Sequence, residues 1–173
     1  MPSQIEKNSK KIKHLAAAAL FAALALIFSY IEAIFPLSVG IPGVKLGIAN
    51  LVVLIALYKL NVKYAFSINI IRIFVSGLLF TGVFGAMYSL AGGMLSLAVM
   101  VLLKKTNLFS IVGVSMAGGF AHNMGQLLVA SFVVSNFKMF LYLPVLMFSG
   151  IISGILMGIL AYYVNKKVPA NLF

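Results

Sequence analysis

The sequence predicts an all-α integral membrane bundle of six transmembrane helices. Three observations predict it: an apolar composition, six apolar runs, and lysines confined to alternate loops. Hydrophobic residues make up 63% of the 173 and charged residues 9%, whereas a soluble domain carries roughly 25% charged residues. Such a chain could not cover its own surface in water. A crossing needs about 20 mostly apolar residues, and candidate runs lie at 14–35, 46–60, 64–84, 86–103, 108–134 and 139–164. Residues 1–13 then form a basic cytoplasmic segment, 14–165 the transmembrane domain and 166–173 a cytoplasmic tail. No cleavage site leads into a polar mature chain, so the first run reads as a span rather than a signal peptide.

Orientation follows from the basic residues. Lys7, Lys10, Lys11 and Lys13 precede the first run, and Lys59 and Lys63 separate the second from the third. Lys104 and Lys105 separate the fourth from the fifth, and Lys166 and Lys167 follow the sixth. With six crossings these ten fall on one side, against Lys45 and Lys138 on the other. Positive charge marks the cytoplasmic face, so both termini are expected inside the cell, in the plasma membrane of a prokaryote. The formal net charge of +11 is thereby explained by membrane orientation and not by nucleic acid.

Taken in order, the first run carries Ala18, Ala19, Ala22 and Ala23, small residues one turn apart that let another helix approach closely. That helix belongs either to the same bundle or to a partner subunit. Pro36 to Gly43 is too rich in Pro and Gly for helix and reads as an outer loop that folds back over the bundle. The second run is short, with Tyr58 and Lys59 able to anchor at the interface. The third contains the only arginine, Arg72, with Asn69 and Ser76 on the same helical face. The fourth and fifth share a pattern: Ser89-Leu90-Ala91-Gly92-Gly93 recurs as Ser115-Met116-Ala117-Gly118-Gly119. An inverted repeat and common helix-packing chemistry both fit. The fifth and sixth runs are long enough to be tilted.

Polar side chains inside apolar spans are expensive and therefore informative. Glu32, Lys45, Asn50 and Gln126 fall in the outer half by their distance from the loops, and Arg72 and His122 fall near the midplane. With Asn123 beside His122, these seven are the candidate substrate-binding residues, converging on a cavity open to the outside and capped by the 36–44 loop. Asn50, Asn69 or Gln126 alone fits interhelical hydrogen bonding, and Arg72 alone fits pairing with Glu32. Together they ask for more. One carboxylate cannot neutralise both Arg72 and Lys45, so an anionic ligand group is expected.

What the chain lacks excludes several chemistries. It has no cysteine and no aspartate, no Walker A phosphate loop and no cluster of metal ligands. Its two glutamates cannot assemble the carboxylates that Mg²⁺-dependent diphosphate chemistry requires. The expectation is a protein that is not catalytic by itself and carries no metal or other cofactor.

Glu32-Ala33-Ile34-Phe35-Pro36, the segment Pro42 to Asn50, Arg72, Ala91-Gly92-Gly93-Met94-Leu95-Ser96, and His122-Asn123-Met124-Gly125-Gln126 together resemble the Gx transporter family, also catalogued as heptaprenyl diphosphate synthase component I. That family resembles the substrate-binding S components of energy-coupling factor (ECF) transporters. The resemblance implies six helices, an outward site under the first outer loop, and an alanine strip that meets a coupling membrane subunit, itself driven by an ATPase pair. The substrate would be a small, partly anionic molecule of vitamin, flavin, isoprenoid or quinone-precursor type. The alternative is a non-catalytic membrane accessory subunit of a prenyl (heptaprenyl) diphosphate synthase.

Overall fold

The computed structural model describes residues 4–35 and 46–169. All regular structure among them is helical, in the order α1 (Gln4–Ile34), α2 (Ile48–Lys59), α3 (Val62–Ser76), a π-helical turn (Gly77–Thr81), α4 (Gly82–Thr106), α5 (Ile111–Val133), a 3-10 turn (Phe137–Tyr142) and α6 (Leu143–Lys167). The expected outer loop at Pro36–Gly43 and the side chain of Lys45 lie outside the described residues.

Successive helices alternate in direction, and cross-links at both poles show it. At one pole Lys59 Nζ donates to the carbonyls of Asn165 and Val168 at the end of α6. Lys104 Nζ donates to the Leu57 carbonyl over 2.6 Å and sits above the Tyr58 ring, and His14 of α1 lies against Tyr64 of α3. Each lysine meets C-terminal helix carbonyls, which carry partial negative charge. Lys63, Lys105, Lys166 and Lys167 belong to helix ends at this same pole. At the opposite pole the end of α1 meets the start of α2 through Glu32 and Ile48, and Tyr30 meets Phe80 of the π turn.

The expected six separate, long apolar spans are not what the structure contains. Length and composition qualify three runs as crossings: Gln4–Ile34, Val62–Thr106 and Phe137–Lys167. Three departures account for the difference. First, α2 has only 12 residues, about 18 Å of helix against a hydrocarbon core of about 30 Å. Second, the third and fourth runs form one continuous helical stretch, so the break expected near residue 85 moves to Gly77–Gly82. Third, His122, Asn123 and Gln126 dilute the hydropathy of α5. The 45-residue stretch is nevertheless folded back on itself. A methyl group on Gly77 would lie 2.6 Å from Ala86 Cβ, and one on Gly93 would lie 2.9 Å from Ile73 Cδ1. The reversal is made at Gly82, whose φ of 68° is a conformation that glycine adopts without penalty.

Helix α2 is the central rod. Every residue from Leu51 to Leu57 is buried, as expected of a helix that is apolar all round. It packs against α1, α3 and α6. The face of α1 that turns inward is Ala18, Ala22, Ala25 and Ser29. The alanine strip therefore divides: Ala18 and Ala22 belong to the bundle's own core, while Ala19 and Ala23 are exposed. On the other side α5 lies between α4 and α6, and glycines set the spacing. A methyl group on Gly92 would sit 2.7 Å from the His122 carbonyl oxygen, and one on Gly154 would sit 2.7 Å from Met116 Cα. Both copies of the Ser-x-Ala-Gly-Gly pattern thus lie at helix crossings, Gly92 and Gly93 against α5 and α3, Gly118 and Gly119 against α4 and α6.

Candidate functional site

Between these helices lies a polar cavity. Its described lining comes from α1 (Ser29, Glu32, Ala33), α2 and its approach (Leu46, Gly47, Asn50) and α3 (Arg72, Ser76). Thr81 and Ser89 follow, then Ser115, Gly119, His122 and Asn123 of α5, and Ser153, Gly154 and Met157 of α6. The volume open to a water molecule's centre is about 90 Å³, roughly six to nine times what one buried water needs. The space suits a small molecule or its head group rather than a single structural water.

Arg72 sits on α3 and is 7% exposed. One terminal nitrogen donates to Asn69 Oδ1 over 2.7 Å, a partner one turn back on the same helix. Its Nε has no hydrogen-bond partner among the described residues. Glu32 is near enough to attract it through charge but makes no hydrogen bond to it among the described residues. Instead, Glu32 Oε1 accepts a 2.9 Å hydrogen bond from the Ile48 backbone N–H. The carboxylate thus caps α2 from 16 residues upstream. The local reason is plain: the N-cap of α2 is Gly47, at φ 76°, which has no side chain to do so. An acidic group at a helix N-terminus is favoured by the helix dipole as well. A buried guanidinium whose only described hydrogen bond is to a neutral amide is an expensive arrangement.

Asn50 is one turn into α2 and donates to Ser96 Oγ on α4 over 3.2 Å, with its Oδ1 buried and without a partner. Asn123 ties α5 to α6 by donating to the Leu146 carbonyl over 2.7 Å and to Ser149 Oγ over 3.2 Å. His122 lines the cavity next to it, beside Gly92.

Of the seven residues singled out in the sequence, the structure brings five to one cavity: Glu32, Asn50, Arg72, His122 and Asn123. Gln126 lies instead at the α4–α5 crossing, its Cγ against Gly92, and is absent from the lining. Lys45 falls outside the described residues. The sequence reasoning missed Ser29, Thr81 and Ser153. Ser29 had a usable signal, since it precedes Glu32 by one helical turn in an apolar run. Ser153 had a weaker one, as a polar residue in α6 four positions before Met157. Thr81 depends on the π turn, which apolar patterning does not reveal.

Fold and cavity define a helical membrane protein with a polar internal pocket. More particularly, the chain belongs to the heptaprenyl diphosphate synthase component I family, whose family model matches residues 21–164. The match spans every described lining residue of the cavity. No curated protein and no solved structure matches.

Proposed function

We propose that this chain is the non-catalytic membrane component of a prenyl (heptaprenyl) diphosphate synthase system, and that its cavity binds a small molecule bearing an anionic group. The observation that carries the reading is the family match, which extends over the whole cavity-forming body. The cavity supports the ligand: Arg72 is buried, lines the space and has no carboxylate hydrogen-bonded to it among the described residues. An anionic group entering there would gain charge-assisted hydrogen bonds from a guanidinium already stripped of water. The word component in the family description suggests a second chain as partner. Catalysis would rest with that chain. The two glutamates here, Glu6 and Glu32, lie on one helix about 39 Å apart at 1.5 Å per residue, and cannot share a metal ion.

In this reading all six helices lie within the bilayer, the short α2 enclosed by its neighbours, and the lysine-rich pole faces the cytoplasm. The test is reconstitution of the catalytic partner in vesicles with and without this chain. Long-chain prenyl diphosphate formation is expected to rise at least tenfold in its presence and to lose that gain with Arg72→Gln. A partner that is fully active alone, and that does not co-purify with this chain, would remove the accessory role.

A second reading has its own observation. The exposed Ala19 and Ala23 on α1 offer a flat strip for another membrane subunit, as in an S component coupled to an ATPase pair. Uptake of a labelled ligand into cells, dependent on that ATPase pair and blocked by Ala19→Trp, separates it from the first.

A further inference from the structure

Helix α1 is longer than a crossing requires, and its excess is a charged arm. His14 to Ile34 spans about 31 Å at 1.5 Å per residue, which covers a hydrocarbon core of about 30 Å. Gln4–Lys13 adds about 15 Å beyond it, more than the roughly 5–8 Å of one head-group layer. All ten of these residues are exposed. The direction the arm faces is set further along the helix. Ala18, Ala22, Ala25 and Ser29 form the face of α1 buried against α2 and α3, and His14 lies against Tyr64 of α3. Steps of three and four residues carry that same seam back through Lys11 to Lys7, with Lys10 beside them. Lys7, Lys10 and Lys11 therefore overhang the bundle's own end. Ile12 and Lys13 point away from it, toward surrounding lipid.

The end they overhang is basic as well. Lys63, Lys105, Lys166 and Lys167 are exposed there, whereas Lys59 and Lys104 donate to backbone carbonyls. Arm and pole thus form a notch with two cationic walls. The chain has only two acidic residues, Glu6 and Glu32. Glu32 lies at the opposite pole, and Glu6 stands off the seam, one turn from Lys10 on the arm's flank. The notch is therefore not neutralised from within. Lipid head groups surround the bundle's perimeter and cannot lie on top of its end, so they meet the outer face of the arm and not this one. A small anion would meet only exposed, solvated lysines, where single ion pairs are worth little. A protein surface with several carboxylates can engage many of them at once. We infer that the notch is the docking site for an acidic face of a soluble catalytic partner. The inference rests on the proposed accessory role and adds to it the place and the chemistry of contact.

The test is binding of the purified catalytic subunit to the full-length chain in nanodiscs of phosphatidylcholine, repeated with phosphatidylglycerol added. Surface plasmon resonance follows it at physiological salt, where screening confines charge effects to about 8 Å. Two variants lower the net charge equally, by two: Lys7→Gln with Lys11→Gln on the seam, and Lys13→Glu off it. Both should keep the wild-type thermal midpoint, since all three side chains are exposed. The seam variant is expected to weaken binding at least fivefold, mainly through slower association, and to flatten its salt dependence. Lys13→Glu should stay within twofold of wild type. Equal losses in the two variants, or none in the seam variant, would overturn the docking site while the partner's binding upholds the accessory role. A seam effect confined to discs containing phosphatidylglycerol would assign the lysines to lipid and overturn it likewise. A catalytic subunit that does not bind the wild-type chain at all would remove the accessory role and the inference together.

Discussion

Replacing Glu32 by alanine removes the described side chain that caps α2, and the structure sets how large the effect should be. The lost acceptor for Ile48 N–H costs ~0.5–2 kcal/mol by analogy with helix caps. The lost charge at the positive end of the helix adds ~0.3–1 kcal/mol. For a chain of this size each kcal/mol moves the midpoint by about 2–4 °C, so Glu32→Ala should lower the thermal midpoint in detergent by roughly 2–12 °C. Glu32→Gln keeps a carbonyl oxygen for Ile48 and loses only the charge, so its midpoint should fall by about 1–4 °C. Intrinsic tyrosine fluorescence during heating, in one detergent and at one protein concentration, measures both. The comparison separates two roles for this carboxylate. If Glu32 existed to neutralise Arg72, its removal in either form would orphan a buried cation at ~3–5 kcal/mol, and Gln would be as harmful as Ala. Equal losses in the two variants, or no loss in Glu32→Ala, would refute the capping account.

Further outcomes follow from the same geometry. The chain has no native cysteine, so single cysteines report topology cleanly: Asn107→Cys should be protected from an impermeant thiol reagent in intact cells and Ser135→Cys labelled, and the reverse pattern would invert the bundle. Ala22→Trp should abolish folding, because Ala22 is part of the core, whereas Ala19→Trp and Ala23→Trp should leave the thermal midpoint unchanged and disturb only association with a partner, read by co-purification. Gly154→Ala places a methyl 2.7 Å from Met116 Cα; backbone cannot yield as a side chain can, so a loss of ~1–3 kcal/mol is expected, visible as a fall in midpoint.

Much of this was legible in the residues. Apolar runs located α2, α4, α5 and α6 to within four residues at each end, and the lysine pattern gave the pole at which their ends gather. The cavity was legible because lipid makes polar side chains costly: Glu32, Asn50, Arg72, His122 and Asn123 each stand out in an apolar run, and all five meet. The gaps have physical causes too. Apolar periodicity carries no information about a π turn, so the continuity of α3 with α4 and the place of Thr81 were hidden. The division of the alanine strip depends on which side of α1 meets α2 and α3, and alanine is indifferent to either environment. The role of Glu32 was obscured because its partner is a backbone N–H, which any residue at position 48 except proline would supply. Helical spacing puts Gln126 one turn from His122, but α4 approaches so closely at Gly92 that its Cγ packs there, outside the described lining.

The account turns on Arg72 as the contact for a bound anionic molecule, and native mass spectrometry of the protein released from its own membranes tests that most directly. Wild type and Arg72→Gln are compared after both are shown to be folded by their thermal midpoints. The account predicts a small-molecule adduct on wild type that carries a phosphate or carboxylate, reduced at least tenfold in Arg72→Gln. An adduct of equal occupancy on both proteins, or one without an anionic group, would contradict it and return Arg72 to a purely structural role.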